Sequence, residues 1–165
     1  MRHRVFIAIN LPEEIKKELS SFQSKWPELP CRWTKKENLH ITLEFLGYLT
    51  DEELIELCQK TKEMASGKKT FSIRLNKICY GPPKKFPPRM VWVIGEKIKE
   101  FNISPHITLG RIRTWEFRQI EPEERPIVDE NISLSFEVSS IEVMESQLKR
   151  GGAEYTILES FELKT

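Results

Sequence analysis

Apolar residues recur along this chain mostly at strand spacing, and at helical spacing in only two stretches. Arg4 to Asn10 (RVFIAIN) is an apolar run closed by Leu11-Pro12, which predicts a buried strand. Pro12 suits a first helical turn, and Glu13 and Glu14 suit the positive end of the helix dipole. Ile15, Leu19, Phe22 and Trp26 then share one helical face until Pro27 and Pro30. A loop carrying Arg32, Trp33, Lys35 and Lys36 leads into His40-Ile41-Thr42-Leu43, whose alternation predicts a strand that stops at Gly47. Thr50 and Glu53 form a capping-box pattern. The helix behind it carries Leu54, Leu57, Cys58 and Met64 and frays near Ser66-Gly67.

The second half continues as strands. Phe71 to Tyr80 (FSIRLNKICY) alternates and predicts a half-exposed strand. Gly81 to Pro88 (GPPKKFPP) is a rigid basic loop that bisects the chain and marks the boundary between two lobes. Arg89 to Ile94 is a buried-type strand, and only Gly95 to Pro105 separates it from His106-Ile107-Thr108-Leu109. That second strand is expected to reach about Arg113. Thr114 to Asn131 contains Pro122 and Pro126 among acids, so it is expected to be loop with at most one short turn of helix. Ile132 to Met144 predicts one long strand, plain or bulged, and Tyr155 to Leu163 returns as the last strand after a turn at Gly151-Gly152. About seven strands and two helices make the fold class α+β with mainly antiparallel pairing.

One four-residue phrase occurs twice, His-Ile-Thr-Leu at His40 and at His106, and these hold two of the three histidines. In a strand, residues two apart point the same way. His40 and Thr42 therefore share a face with Ile41 and Leu43 behind them, and His106 and Thr108 repeat the arrangement in front of Ile107 and Leu109. Facing strands would bring two imidazoles and two hydroxyls into one cleft. Histidine titrates near neutral pH, so an opposed pair can give and take protons in one turnover, as phosphodiester hydrolysis requires. The threonine hydroxyls can donate to the non-bridging phosphate oxygens. Arg111 lies five residues past His106, so alternation puts it on the opposite face unless a bulge or strand end at Gly110 turns it back. Phe45 follows the apolar face by the same count, although its place near the strand end would let it stack on a base. Pattern alone settles neither side.

Composition narrows the partners. The chain has 165 residues, 39% hydrophobic and 10% aromatic, which suits one domain with a real core. Its 26 basic and 25 acidic residues leave a net charge of +1, so an RNA partner would have to be bound in a local basic cleft. The Lys35-Lys36 and Lys84-Lys85 pairs are read as solvated loop charge, with phosphate contact as the minor reading. Cys31, Cys58 and Cys79 are odd in number and widely spaced, which fits reduced thiols in a cytoplasmic protein. No Cys cluster or HxxxH spacing accompanies the histidines, so no metal or other cofactor is expected. No apolar stretch reaches the roughly 18 residues of a membrane span, and the apolar run at the start is too short for a signal peptide. His3, without repeated context, is read as structural, and Trp33, Trp92 and Trp115 as packing residues.

A lone HxT on a strand is more often a polar face than a catalyst, but the paired copies and their surroundings resemble the two-histidine phosphoesterases. More narrowly they are similar to the RNA 2′,3′-cyclic phosphodiesterases, historically called 2′-5′ RNA ligases. The resemblance covers almost the whole chain: RVFIAINLPEE, RWTKKENLHITLEFLGYLTDEEL, PRMVWV, PHITLGRIR and SIEVMESQLKRGGAEYTILESFEL. It implies a single bilobal domain over residues 1–165, with two mainly antiparallel sheets in pseudo-two-fold arrangement and one motif per sheet facing a central cleft. It implies metal-free opening of a 2′,3′-cyclic phosphate at an RNA end, tRNA fragments among the possible substrates, to a 2′-phosphate. In vitro the family also joins a 5′-hydroxyl end into a 2′-5′ linkage. By this resemblance His40 and His106 divide the acid and base roles, Thr42 and Thr108 bind phosphate, and Arg111 is a phosphate contact. The product requires one histidine to protonate the departing 3′-oxygen without saying which; by analogy His40 is taken as acid and His106 as base. The family places a long helix before its second motif, for which Gly95 to Pro105 is too short, so the second lobe is expected to have a reduced helix region. Residues 114–129, with Trp115, Phe117 and Ile120, or a second protomer, are the candidates to cover it. The competing readings are a phosphodiesterase for small cyclic nucleotides or ADP-ribose cyclic phosphate, and a non-catalytic RNA- or nucleotide-binding module.

Overall fold

Each HITL strand enters a different antiparallel sheet in the computed structural model, which describes residues 1–165. The first sheet holds β1 (Arg2–Asn10), β3 (His40–Thr50), β8 (Ser140–Lys149) and β9 (Gly152–Glu162), in the order β3-β1-β8-β9. The second holds β2 (Cys31–Trp33), β4 (Phe71–Gly81), β5 (Met90–Gly95), β6 (His106–Ile112) and β7 (Asp129–Val138), in the order β2-β6-β5-β4-β7. In both sheets the apolar strand that precedes a HITL copy in sequence pairs with it directly, β1 with β3 and β5 with β6. The expected two-sheet α+β architecture is present. No helix is long and apolar enough to cross a membrane.

The apolar backs of the two sheets meet in one core. Ile7, Ile9, Ile41 and Ile141 from the first sheet join Ile73, Leu75, Ile78, Val91, Val93, Ile107 and Leu109 from the second in a single cluster of 27 buried residues. Ile41, Ile107 and Leu109 are wholly excluded from solvent. Burying each such side chain stabilises the fold by about 1.5–3 kcal/mol, and a one-residue slip of either strand would expose the whole set. Register is thereby fixed, and with it the face that His40, Thr42, His106 and Thr108 present.

Three helices pack around this frame: α1 (Glu13–Ser21), α2 (Asp51–Ser66) and the short α3 (Thr114–Gln119). The capping box at α2 forms as expected, the Glu53 amide donating to Thr50 Oγ1 at 3.2 Å and the Thr50 amide to the Glu53 carboxylate at 2.9 Å. α1 ends earlier than its apolar period suggests. Phe22–Ser24 tightens into a 3-10 turn, and Trp26 is buried from the loop beyond, its indole N–H donating to the Ile127 carbonyl at 3.1 Å.

Several boundaries differ from the sequence expectation. Gly81 to Pro88 joins β4 to β5, neighbours in one sheet, so it is a hairpin connection and not a lobe boundary. Ile132 to Met144 is not one strand: the chain breaks at Ser139, β7 pairing with β4 and β8 with β1 and β9. Alternation reports which face is buried but not which partner is paired, and no Gly or Pro marks this corner. β3 runs through Gly47 to Thr50, because glycine tolerates the positive φ of 78° found there. The segment around Arg32, expected to be loop, is the edge strand β2, paired with Gly110 to Ile112. No helix forms between β5 and β6. A turn closed by the Ile98 amide on the Ile103 carbonyl at 2.8 Å replaces it and buries Ile98. From α3, Phe117 enters the shared core against Tyr80, whereas Trp115 is 73% exposed and covers nothing.

Candidate active site

The fronts of the two sheets enclose a cleft of about 410 Å³, and all six residues singled out from the sequence line it: His40, Thr42, Phe45, His106, Thr108 and Arg111. Arg4, Phe6, Thr34, Asn38, Met90, Ser146 and Tyr155 complete the wall. No carboxylate is among them. Two arginines, two histidines and several hydroxyls therefore face a space of nucleotide size with nothing to repel an anion.

Both HITL strands carry a one-residue bulge at the same place. In β3, Thr42 lies opposite Ala8 and Glu44 opposite Ile7, which leaves Leu43 as the extra residue. In β6, Thr108 lies opposite Trp92 and Gly110 opposite Val91, which leaves Leu109 extra. Each bulge inverts the alternation beyond it. Phe45 is turned to the front, opposite Phe6 and stacked on it with ring centroids 6.2 Å apart, and Arg111 is turned to the front opposite Met90. The carbonyl of the bulged Leu109 accepts from the Thr34 amide at 3.0 Å and from Gln23 Nε2 at 3.0 Å, so the irregular backbone stays hydrogen-bonded.

The two histidines are held differently. His40 Nδ1 lies 2.7 Å from the Asn38 carbonyl, which can only accept, so Nδ1 carries a proton. Nε2 is thereby left to face the cleft, 2.9 Å from the Thr42 hydroxyl, from which it accepts when the ring is neutral and to which it donates when the ring is protonated. The Phe6 and Tyr155 rings flank the imidazole at 5.0 and 5.1 Å. Burial pushes the His40 pKa below its ordinary 6.5, the Asn38 carbonyl opposes this, and Lys16 and His106 add to the lowering. His106 is more open and stacks on the Trp92 indole at 4.1 Å with 20° between the planes. Desolvation alone lowers its pKa.

Several lining residues were missed from the sequence. Met90 sits on the floor, its sulfur 3.9 Å from Thr108 Oγ1 and 3.6 Å from Arg111 Nη1, so both donors rest on a weak acceptor. Its position in the alternation of β5 (front at Met90 and Trp92, back at Val91 and Val93) was the available signal. Arg4, Ser146 and Tyr155 come from strands distant in sequence, and only topology assembles them. Arg4 reaches over the Phe45 ring at 4.7 Å and donates to Ser146 Oγ at 3.3 Å. Trp92, expected to be a packing residue, packs against the His106 ring. No three His, Cys, Asp or Glu side chains are grouped as metal ligands, and the three cysteines are free, the buried Cys31 thiol pushed up to about 12. His3 is bound by Asp51 and Glu145 and does not line the cleft.

Residues 9–92 match the model of the LigT-like phosphoesterase family. A protein of Methanocaldococcus jannaschii named RNA 2′,3′-cyclic phosphodiesterase is 27% identical over 178 aligned positions, spanning 96% of this chain and 99% of that one. Among solved structures, TT0787 of Thermus thermophilus superposes with a TM-score of 0.83 at 26% identity, covering 97% of each chain. Escherichia coli LigT complexed with phosphate superposes with a TM-score of 0.78 at 25% identity, covering 99% of each.

Proposed function

Since the chain belongs to the LigT-like phosphoesterase family, we propose that it hydrolyses 2′,3′-cyclic phosphate ends of RNA to a 2′-phosphate. The observation that carries this reading is the pair of oppositely mounted histidines in a cleft free of carboxylates. The substrate phosphodiester lies between them, its non-bridging oxygens accepting from the Thr42 and Thr108 hydroxyls and from the Arg111 guanidinium.

His106 takes a proton from water as the oxygen attacks phosphorus, and the Trp92 face behind it stabilises the imidazolium that forms. His40 gives its Nε2 proton to the departing 3′-oxygen. Its Nδ1–H stays on the Asn38 carbonyl throughout, which favours the charged ring before transfer and fixes its orientation after. Water adds to phosphorus, the bond to the 3′-oxygen breaks, and a 2′-phosphate and a 3′-hydroxyl result. The two histidines have then exchanged protonation states and are reset by solvent. A 5′-hydroxyl in place of water would leave a 2′-5′ linkage by the same steps.

The test is single-turnover hydrolysis of an oligonucleotide ending in a 2′,3′-cyclic phosphate. His40→Ala and His106→Ala are each expected to lower the rate by about 10²–10⁴-fold, with the wild-type product phosphorylated on the 2′-oxygen. Undiminished turnover in either variant would sink the proposal.

A further inference from the structure

A second cavity of about 370 Å³ opens from the side of the catalytic cleft, sharing Thr34, Asn38, Arg111 and Tyr155 with it. Five cations line it: Arg32, Lys35, Arg111, Lys149 and Arg150. No carboxylate does. In a chain whose charges balance to +1, this is a strong local excess. None of the five forms a salt bridge, whereas the neighbouring Lys36 is paired with Glu13 at 2.7 Å. Unneutralised cations held together repel one another, and an anion relieves that cost.

The groove is built from both sheets. Arg32 and Lys35 come from β2 and the turn after it, beside the second sheet, while Lys149 and Arg150 come from the β8–β9 hairpin of the first. The hairpin is anchored by Asn38, whose Nδ2 donates to the Ala153 carbonyl at 2.8 Å. Asn38 is also the residue that orients His40 through its own carbonyl. One residue thus fixes the catalytic imidazole and the basic hairpin relative to each other.

We infer that this groove holds the phosphodiester backbone on the 5′ side of the reacting nucleotide, so that the enzyme acts on RNA strands in preference to cyclic mononucleotides. This rests on the function proposed above. The chain of an RNA with a 2′,3′-cyclic end can leave the cleft only on its 5′ side, and the groove is the cation-lined exit. Trp33 is already stacked on Trp26 with centroids 6.4 Å apart, so the groove offers charge and not a free aromatic platform. It grips phosphates and is indifferent to base identity.

The experiment compares kcat/KM on 2′,3′-cyclic AMP and on an oligonucleotide with the same cyclic end, for the wild type, Lys149→Glu/Arg150→Glu and Lys35→Glu. The variants are expected to lose about tenfold or more on the oligonucleotide and to stay within about twofold on cyclic AMP. In the wild type, log kcat/KM on the oligonucleotide should fall with log salt by about 0.7 per phosphate held, and the double variant should flatten that slope. Equal losses on both substrates, or no loss on the oligonucleotide, would overturn the inference. A wild type inactive on both would refute the proposed reaction only. Salt-dependent binding of a 2′-phosphorylated oligonucleotide, followed by anisotropy, would then decide: weakened binding in the double variant supports the groove and unchanged binding removes it.

Discussion

Phe45 and Arg111 hold equivalent positions, each five residues past the histidine of its motif and each turned into the cleft by a bulge at the leucine that closes that motif. The two copies therefore share a backbone device and differ in what it delivers. One side of the cleft receives an aromatic ring and the other a guanidinium. A cyclic nucleotide has the same asymmetry, a flat base at one end and an anionic phosphate at the other.

Arg111→Gln is accordingly expected to lower kcat as well as kcat/KM, because charge on the phosphate oxygens grows toward the transition state. Phe45→Ala should raise KM with kcat nearly unchanged, by the about 1–3 kcal/mol of one base stacked on an aromatic ring. Steady-state kinetics on a cyclic-ended oligonucleotide separate the two. A fall in kcat for Phe45→Ala as large as that for Arg111→Gln would show that the bulges do not divide the work this way.

Both histidines of the cleft have pKa values lowered from 6.5, each chiefly through desolvation. A reaction needing one protonated and one neutral imidazole in the free enzyme then has its kcat/KM maximum on the acid side of 6.5. Bound phosphodiester places negative charge between the rings and raises both values, so the kcat profile should be displaced upward relative to kcat/KM. The check is a pair of pH profiles on one substrate. A kcat/KM that climbs to a plateau above pH 8 would contradict it.

Trp92 leans flat across Gly81, where a Cβ would fall 2.2 Å from the ring, and offers its other face to His106 at 4.1 Å. Trp92→Leu keeps an apolar wall but removes the π face that stabilises an imidazolium by about 0.5–2 kcal/mol. The His106 limb of the pH profile should move to lower pH and kcat should fall several-fold. Trp92→Phe should restore most of both. A loss of kcat without movement of the pH limb would mark Trp92 as packing alone.

The two faces of the HITL strands were legible in the sequence because a buried Ile41 or Ile107 leaves the alternation no freedom. The pairing of His40 with His106 across a cleft was legible because the phrase repeats. The face of Phe45 and of Arg111 was not settled by the pattern: Gly110 offered a place for a bulge ahead of Arg111, but no residue marks the one in β3, and Leu43 and Leu109 look like ordinary strand leucines. The basic groove was also hidden. Lys35 and Lys36 are adjacent in sequence, yet one faces the groove and the other is paired with Glu13. Lys149 and Arg150 join the first of them only through the β8–β9 hairpin. The split of residues 129–149 between two sheets was hidden for a related reason, as strand partners are long-range facts that local alternation does not encode.

His3 joins the start of α2 to the first sheet, its Nε2 2.6 Å from Asp51 and its Nδ1 2.7 Å from Glu145. Only the imidazolium can donate to both carboxylates at once, and the hydrogen bonds to Asp51 and then Glu145 raise the His3 pKa above 6.5. A histidine raised in the folded state contributes stability that is complete below its unfolded value and is lost as pH rises through the folded value. The lowering of the Asp51 pKa by the same contact acts only at acid pH, outside this window. His40 and His106, both lowered, have the opposite dependence, but they are common to the wild type and to His3→Gln and cancel in the difference between them. The Tm advantage of the wild type over His3→Gln should therefore be largest near about pH 6 and shrink by about pH 8.5. An advantage that does not change with pH would mean the clamp holds as a neutral hydrogen bond, and that the charge on His3 does nothing for the joint between α2 and the sheet.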